Sequence, residues 1–518
     1  MPVELSLSLS PKQASDEQFF KPLVAEKLSI SPKEISAIRI IRKSIDARGR
    51  QVKVNLGLLV FINEDDTYYA EDAVKLRNVS LAEPVVVVGS GPAGLFAALR
   101  LIELGLKPIV IERGKDVSAR KRDIASINRD QRVNPDSNYA FGEGGAGTFS
   151  DGKLYTRSKK RGDVAQILKI FHQFGAQDSI LYEAHPHIGT NVLPRVVTAI
   201  TKAIVEAGGE VHFNKRVDDI LLIGNRIGGV ACGGETFKAK AVVLATGHSA
   251  RDIYNLLYKK GITIEAKPFA MGVRVEHPQA LIDSIQYHIP SRGEYLPAAS
   301  YSLVHQADER GVYSFCMCPG GFIVPAASSP GEVVVNGMSP SERNSPFANS
   351  GIAVEIRLDD LRSYQSYGDL AGLTMQSRLE KKAFEHGGGG QKAPAQRLTD
   401  FVSGRFSSQL PTCSYHPGLN SSEMHEWLPQ PISKRLREAF KAFDTKMRGF
   451  LTNEAVILGV ESRTSSPIRI PRNEQTLMHS KIEGLFPCGE GAGYAGGITS
   501  SAIDGQASAD AVANWLSH

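Results

Sequence analysis

The chain has 518 residues, of which 42% are hydrophobic and 22% are charged, and its formal net charge is +5. These values exclude a disordered or fibrous chain and argue against a nucleic-acid-binding protein, and the length predicts two to four structural units. Five scattered cysteines exclude a secreted disulfide framework. The sequence shows neither an apolar run of membrane-spanning length nor a secretory pattern in its first thirty residues, so we expect a cytoplasmic protein.

Residues 1–80 carry the pattern of a separate module. Alternating apolar and polar residues predict strands at 5–9, 37–45 and 51–62, and a helix-like stretch predicts a helix at 16–28. The predicted order is strand, helix, strand, strand. This order predicts a small α+β (ferredoxin-like) module that ends with a short helix near Glu71. None of its residues indicates catalysis, and one hypothesis is that it binds a protein partner.

A nucleotide-binding motif follows the module. Val85–Val88 is a β-branched run typical of a buried parallel strand, and it leads into Gly89-Ser90-Gly91-Pro92-Ala93-Gly94. Gly89 allows a tight turn, Gly91 allows close approach to a pyrophosphate, and Gly94 allows the next helix to pack closely. A second predicted strand, Lys107–Ile111, ends at Glu112 and Arg113, and Glu112 is placed to accept hydrogen bonds from ribose hydroxyls. The spacing predicts a bound FAD or NAD, because an acid here disfavours a 2′-phosphate.

A second glycine-rich segment, near residue 490, favours FAD. A predicted strand ends at Gly489 and Glu490, and after a glycine loop a predicted helix runs from Ile498 to Trp515. Glu490 is expected to bind a ribityl or phosphate-proximal hydroxyl. The helix start, formed by Gly496, Gly497 and Ile498, would direct free N–H groups at the flavin, where negative charge develops on reduction.

Two weaker segments complete this predicted domain. A strand at 241–244 leads into a turn with Thr246 and Gly247, which would close the domain. A strand at 211–217 would place Val217 over the adenine. No cysteine or histidine spacing predicts a metal site, and no further glycine cluster is framed by a strand and a helix. A dedicated NAD(P)H domain is therefore not expected, and NAD(P)H would dock only transiently.

These residues resemble the glutathione-reductase-type FAD fold over 83–268 and 470–518. Longer strings resemble a family of bacterial FAD-dependent dehydrogenase-like proteins, namely KSIDAR (Lys43–Arg48), FGEGGAGTFSDGKL (Phe141–Leu154), HPHIGT (His185–Thr190), CMCPGG (Cys316–Gly321), ESRTSSPIRI (Glu461–Ile470) and PCGEGAGYAGGI (Pro487–Ile498). The loop with Gly145, Gly147 and Thr148 looks like the second glycine loop of related flavoproteins, which runs beneath the pyrophosphate.

The resemblance implies an α/β fold. A discontinuous Rossmann-like FAD-binding domain would comprise residues 81–268 and 470–518, and an inserted α+β cap would comprise residues 269–469. The resemblance also implies an FAD-dependent oxidoreductase whose substrate is undefined.

Few side chains are candidates for chemistry, because hydride transfer is carried out by the flavin. Each candidate has a structural alternative. Cys316 and Cys318 would form a redox pair, or they are small packed side chains. Glu461 and Arg463 would clamp an anionic substrate, or they pair with each other. His187 and His248, like His185, would donate protons, or they make ordinary hydrogen bonds.

The leading prediction is an FAD-dependent oxidoreductase that acts on an unidentified small molecule. The segment 113–161 has a net charge of +6 and accounts for the whole excess of the chain. This segment is either a solvated loop and helix face or a rim that attracts a phosphorylated or carboxylated substrate, and the second alternative predicts an anionic substrate. One alternative is a flavin-dependent RNA-modifying enzyme, based on the basic run 157–161 and a basic helix near 434–446. The other is a non-catalytic flavin-binding sensor whose module 1–80 docks a partner.

Overall fold

The protein is described by a computed structural model that covers residues 2–49, 51–66, 73–156 and 162–517. The expected short helix near Glu71 and the basic run 157–161 lie outside the described residues. No helix of the described part is both long and apolar enough to cross a membrane.

The N-terminal module has the predicted order of elements. Its elements are β1 (Val3–Leu9), α1 (Glu17–Leu28), β2 (Ile35–Asp46) and β3 (Lys53–Ile62). The antiparallel sheet has the order β1-β3-β2, and its apolar face packs on α1. The second helix and fourth strand of a ferredoxin-like module are not among the described residues. The edge of β2 pairs with the next unit, because the Lys43 N–H donates to the Tyr182 carbonyl oxygen at 2.8 Å.

A strand–helix–strand unit follows. Its elements are β4 (Pro84–Val88), α2 (Pro92–Glu103), β5 (Lys107–Ile111), α3 (Val117–Asp130), α4 (Val164–Gln173), α5 (Leu193–Glu206) and β6 (Glu210–His212). Val85, Val86 and Val87 are fully buried, as expected for a parallel strand covered on both faces. The predicted strand 211–217 is wrong beyond His212, because Asn214 takes a positive φ and turns the chain.

An antiparallel three-stranded sheet interrupts this unit before the chain returns to the parallel sheet. The elements are β7 (Asp219–Ile223), β8 (Arg226–Cys232), β9 (Glu235–Lys238), β10 (Val242–Leu244) and α6 (Arg251–Lys259). Gly228 and Gly229 lie inside β8, and Gly233 and Gly234 form the turn between β8 and β9. These glycines therefore belong to an antiparallel sheet and not to a second nucleotide-binding turn.

The inserted region forms a large mixed sheet and two small two-stranded sheets. Its strands are β11 (Glu265–Ala266), β12 (Phe269–Pro278), β13 (Val304–Ala307), β14 (Arg310–Cys318), β15 (Phe322–Pro325), β16 (Val335–Met338), β17 (Phe347–Ile356), β18 (Ala393–Arg397), β19 (Leu419–Ser421), β20 (Val456–Glu461) and β21 (Ile468–Arg469). The large sheet has the order β13-β14-β17-β12-β20-β18-β19, and β11 pairs with β21 where the chain enters and leaves the region.

Helices cover the inserted sheet. They are α7 (Gln279–Tyr287), α8 (Ala371–His386), α9 (Leu398–Ser403), α10 (Met424–Trp427) and α11 (Gln430–Lys446). The apolar stripe of α11 is buried, and its Phe440 and Phe443 rings lie 6.4 and 6.0 Å from the Phe450 ring, which belongs to the same core. The insert therefore has a hydrophobic core of its own.

The last elements, β22 (Leu485–Pro487) and α12 (Ile498–Leu516), complete the parallel sheet. The sheet has the order β22-β10-β4-β5-β6, and all four strand pairs are parallel. Helix α12 packs directly on α2, since a side chain at Gly505 would collide with the Ala93 carbonyl oxygen. The discontinuous α/β sheet predicted from the two glycine motifs is present.

Candidate functional site

A cleft of about 760 Å³ lies at the carboxyl ends of the parallel strands and reaches the inserted sheet. In doubly wound folds, ligands bind at this edge of the sheet. Its lining comes from three parts of the chain. The strand ends and glycine loops contribute Gly89, Gly91, Pro92, Ala93, Glu112, Arg113, Gly145, Gly147, Val217, Thr246, Gly247 and His248; the insert contributes Tyr301, Cys316, Cys318, Arg343 and Arg463; and the C-terminal segment contributes Glu490, Gly496, Gly497 and Ile498.

The first glycine loop is tightly constrained at its two outer glycines. Gly89 has a φ of 103°, which favours glycine, and a side chain at Gly94 would collide with the Gly89 carbonyl oxygen. Helix α2 begins at Pro92 without a side-chain cap, so its first N–H groups face the cleft with no capping side chain. This is the geometry of an anion site at a helix N-terminus.

Glu112 connects three backbone segments at the end of β5. One carboxylate oxygen accepts hydrogen bonds from Ser90 N and Oγ at 3.0 and 2.8 Å, and the other accepts from Gly114 N and Gly142 N at 2.9 Å each. The four bonds use the acceptor capacity of the carboxylate. Glu112 therefore holds the two glycine loops together, and a ribose hydroxyl would have to share one of these oxygens.

Arg113, the next residue, is held by two acids. Its guanidinium donates to Asp136 at 2.8 Å and to Asp252 at 2.9 Å, and lies 4.1 Å above the Phe141 ring. The side chain thus fixes the outer wall of the cleft.

The second glycine loop packs on the first. A side chain at Gly145 would lie 2.9 Å from Gly91 Cα, so the two loops are in close contact. Thr148 is buried and donates to the Glu143 carbonyl oxygen at 2.6 Å. Its hydroxyl stabilises the loop and does not point into the cleft.

The C-terminal loop closes the other side of the cleft. Asp504 of α12 accepts from Gly489 N at 2.7 Å and forms an ion pair with Arg472 at 2.6 Å. Glu490 lies beside His248, with 3.6 Å between a carboxylate oxygen and Nδ1. Helix α12 begins after Gly497 without a side-chain cap, and side chains at Gly496 and Gly497 would meet open space.

The insert contributes Cys316 and Cys318 to the wall of the cleft. Cys316 is exposed and has a φ of 45°, within an irregularity of β14 that begins after Phe315. Desolvation within the cleft raises the pKa of the Cys316 thiol to about 11. Cys318 is buried, and its sulfur lies 3.6 Å from Lys153 Nζ and 3.9 Å from an Arg274 nitrogen.

The predicted alternative in which Glu461 pairs with Arg463 is wrong. Glu461 forms a buried ion pair with Arg274 at 2.7 Å, and burial raises the pKa of its carboxyl group. Arg463 instead donates to Glu380 at 2.9 Å and lies 3.4 Å from Glu332. Glu461 does not line the cleft, and the charge of Arg463 is already balanced, so the two residues do not form an anion clamp.

The histidine candidates differ in position. His248 lines the cleft and shares a hydrogen bond with the Arg463 carbonyl oxygen at 3.1 Å. His187 lies outside the lining, and burial lowers its pKa to about 4, so it is neutral at physiological pH. His185 lines the mouth of the cleft, where its ring lies 4.9 Å from the Tyr155 ring. Of the histidine candidates named for proton transfer, His187 is thus the poorest.

Three charged residues that the sequence did not single out meet at the insert end of the cleft. Asp151 lies 3.3 Å from Lys153 Nζ and 3.4 Å from an Arg343 nitrogen. Burial alone would lower the pKa of Lys153, but Cys318 and Asp151 outweigh burial and raise it. Lys153 lies within the FGEGGAGTFSDGKL string, which marks it in the sequence, whereas no local signal marks Arg343.

Four family models match the chain. They are "FAD binding domain" over residues 84–122, "FAD dependent oxidoreductase" over 186–336, "FAD-dependent protein, C-terminal domain-like" over 268–464, and a domain of unknown function over 1–61. An uncharacterized protein of Clostridium beijerinckii is 41% identical over 501 residues, which cover 93% of each chain. A thiamine thiazole synthase of Thermotoga maritima is 24% identical over 236 residues, which cover 43% of this chain and 76% of the relative.

The chain belongs to a family of FAD-dependent oxidoreductases. Its cofactor is FAD, as the two glycine motifs predicted, and it is an enzyme. A solved flavin-dependent brominase shares 14% identity with this chain, with a TM-score of 0.36 over 84% of this chain and 79% of its own.

The cleft of this FAD-dependent oxidoreductase fits its cofactor. Two uncapped helix N-termini and backbone glycines meet in one cavity, whose volume lies within the range of roughly 300–1,000 Å³ usual for ligand sites. Most of the residues predicted to bind the cofactor line this cavity. Ser90, Gly94, Thr148 and Gly489 do not line it.

The basic helix considered for RNA binding, α11, uses several of its charges within the protein. Arg435 is 7% exposed, the Arg437 guanidinium donates to the Val402 carbonyl oxygen, and Lys446 donates to the Val304 carbonyl oxygen. These three side chains do not form a free basic surface, and the basic run 157–161, the other basis of the RNA hypothesis, lies outside the described residues.

Proposed function

We propose that this enzyme transfers an electron pair between FAD and a small anionic substrate that binds where the cleft meets the inserted sheet. In this proposal residues 81–268 and 470–518 form the FAD-binding domain, and residues 269–469 form a cap that selects the substrate. Support for the division comes from the core, since one hydrophobic cluster is drawn almost entirely from 269–460 and two others flank the parallel sheet.

The cofactor would extend along the full cleft. The N-terminus of α2 would face the pyrophosphate, and Glu112 and Val217 would lie near the adenosine. Bound FAD supplies hydride or single-electron transfer. The start of α12, at Gly496, Gly497 and Ile498, would face the flavin, where its N–H groups stabilise negative charge and so raise the reduction potential.

The balance of charge at the cap end carries the substrate proposal. The Arg274 charge is compensated by Glu461, and the Arg463 charge by Glu380. Lys153 and Arg343 share one acid, Asp151, so these three lining side chains carry a net charge of +1. A carboxylate or phosphate of a small substrate would be attracted to this end of the cleft.

Binding of simple anions tests this proposal. Purified holoenzyme is titrated with oxalate and, separately, with inorganic phosphate while the flavin absorbance spectrum is recorded. We expect at least one of the two anions to perturb the spectrum. We expect Lys153→Met to weaken the binding of that anion by about 10- to 100-fold, which corresponds to the loss of a charged hydrogen bond. Lys202→Met is the matched control, because Lys202 is an exposed residue of α5 that pairs with Glu206. The proposal is refuted if neither anion binds, or if Lys153→Met binds as tightly as the control.

The electron donor is tested separately. We propose that NAD(P)H docks transiently in the open cleft and not in a domain of its own. The holoenzyme is mixed anaerobically with NADH or with NADPH in a stopped-flow instrument, and we expect one of the two nucleotides to bleach the flavin band. If neither nucleotide bleaches a firmly bound flavin, electrons come from the substrate or a protein partner. Partner binding through residues 1–80 stays a prediction.

A further inference from the structure

Two thiols lie two residues apart in the cap wall of the cleft. We propose that Cys316 and Cys318 form a dithiol–disulfide couple that exchanges an electron pair with the bound flavin. The inference rests on the proposed position of the flavin in this cleft. It adds a second redox group to the enzyme and assigns a use to the strained segment of β14.

The backbone presents Cys316 to the cleft. The φ of Cys316 is 45°, which is unusual for a residue other than glycine. A strained backbone of this kind persists where the surrounding structure fixes it. Here an Arg274 nitrogen donates to the Cys316 carbonyl oxygen at 2.8 Å, and Arg274 is itself fixed by Asn349 and Glu461. The ladder between β14 and β17 is interrupted between Phe315 and Cys318. Bulges of this kind redirect side chains next to active sites.

Cys318 is held in place by polar neighbours. Its sulfur lies 3.6 Å from Lys153 Nζ and 3.9 Å from an Arg274 nitrogen. The Cys318 thiol also donates a hydrogen bond to the Cys316 carbonyl oxygen at 3.2 Å, which fixes the side chain against the backbone of its neighbour. Both cysteines line the cleft, and Cys316 is exposed whereas Cys318 is buried, so Cys316 is the more accessible thiol.

The proposed step balances without a further reactant. Oxidation of the two thiols forms one S–S bond and releases two electrons and two protons, and FAD takes up both to become FADH₂. In the reverse direction FADH₂ returns them and the S–S bond breaks. A disulfide between residues this close in sequence is strained, and strain makes the bond easier to reduce, as a cycling couple requires.

Electron counting tests the couple. The holoenzyme is oxidised with diamide, freed of the reagent and titrated anaerobically with dithionite while the flavin band is followed. We expect wild type to take up four electrons per FAD, and Cys316→Ser and Cys318→Ser to take up two. Cys232→Ser is the matched control, because Cys232 is a buried thiol in β8 outside the cleft, and it should still take up four.

Mass spectrometry supplies the second readout. Diamide-treated wild type should lose two mass units in the peptide that holds both cysteines and should resist alkylation there. Uptake of two electrons by wild type, or a disulfide that forms between other cysteines, would overturn the inference. The result is independent of the anion titration, so a four-electron enzyme that binds no anion would refute the substrate class and leave the couple standing.

Discussion

The buried ion pair between Arg274 and Glu461 allows a quantitative prediction of the stability of the cap. The Arg274 guanidinium is fully buried, and its partners are Glu461, Asn349 and the Cys316 carbonyl oxygen. Glu461→Met removes the one negative charge in this set and leaves a buried cation without compensation. We expect the substitution to lower the free energy of unfolding of the cap by about 3–5 kcal/mol.

The double variant Arg274→Met, Glu461→Met should be more stable than Glu461→Met alone. It removes both charges. The remaining loss of stability comes from the oxygens of Asn349 and Cys316, which lose the donor of their hydrogen bonds, and a buried acceptor without a donor costs about 1–3 kcal/mol. The two substitutions therefore compensate each other in part, although each removes a large buried side chain.

Tryptophan fluorescence can follow the cap selectively. The chain has two tryptophans, Trp427 in the cap core and Trp515 in α12. In a Trp515→Phe background the urea-induced transition of Trp427 reports the cap. If the double variant unfolds at the same or lower urea concentration than Glu461→Met, the pair is not stabilised by charge compensation and the reasoning fails.

Three further predictions concern the cofactor loops and pH. Gly94→Ala should abolish FAD retention, measured as flavin absorbance per protein after gel filtration, because its methyl group would collide with the Gly89 carbonyl oxygen. Glu112→Gln should lower the melting temperature even of the FAD-free protein, since an amide nitrogen cannot accept the hydrogen bonds that one carboxylate oxygen now accepts; an unchanged melting temperature contradicts this role. Burial lowers the pKa of His277 to about 4, so the unfolded chain binds the proton more readily and stability should fall by about 3 kcal/mol as pH drops from 6.5 to 4. His277→Gln should flatten this fall in urea titrations, whereas the control His416→Gln, at an exposed histidine, should not.

The glycine-loop half of the cleft was predictable because its signals are local. Gly89, Gly94 and Glu112 fall within one strand–helix–strand unit, where spacing alone sets the geometry. The strand 107–111 and the helix start at Ile498 are confirmed at the predicted residues. These features need no information from distant parts of the chain.

The cap half depends on contacts between distant residues. Arg274 and Glu461 are 187 residues apart, and Lys153 meets Cys318 across 165 residues. Glu461 and Arg463, two residues apart on one segment, were expected to act together. Each finds a different partner, because the fold brings Arg274 of β12 to Glu461 and Glu380 of α8 to Arg463. No periodicity encodes such pairings, so the sequence identified the cysteines and left their surroundings open.

The position of β22 in the parallel sheet has a consequence for synthesis on the ribosome. This strand pairs with β10, although about 240 residues separate Leu244 from Leu485. At roughly 5–20 residues per second, on the order of 10–50 s pass between the two strands. During that interval the edge of β10 is unpaired, and we expect the growing chain to retain no flavin until α12 has emerged and docked on α2.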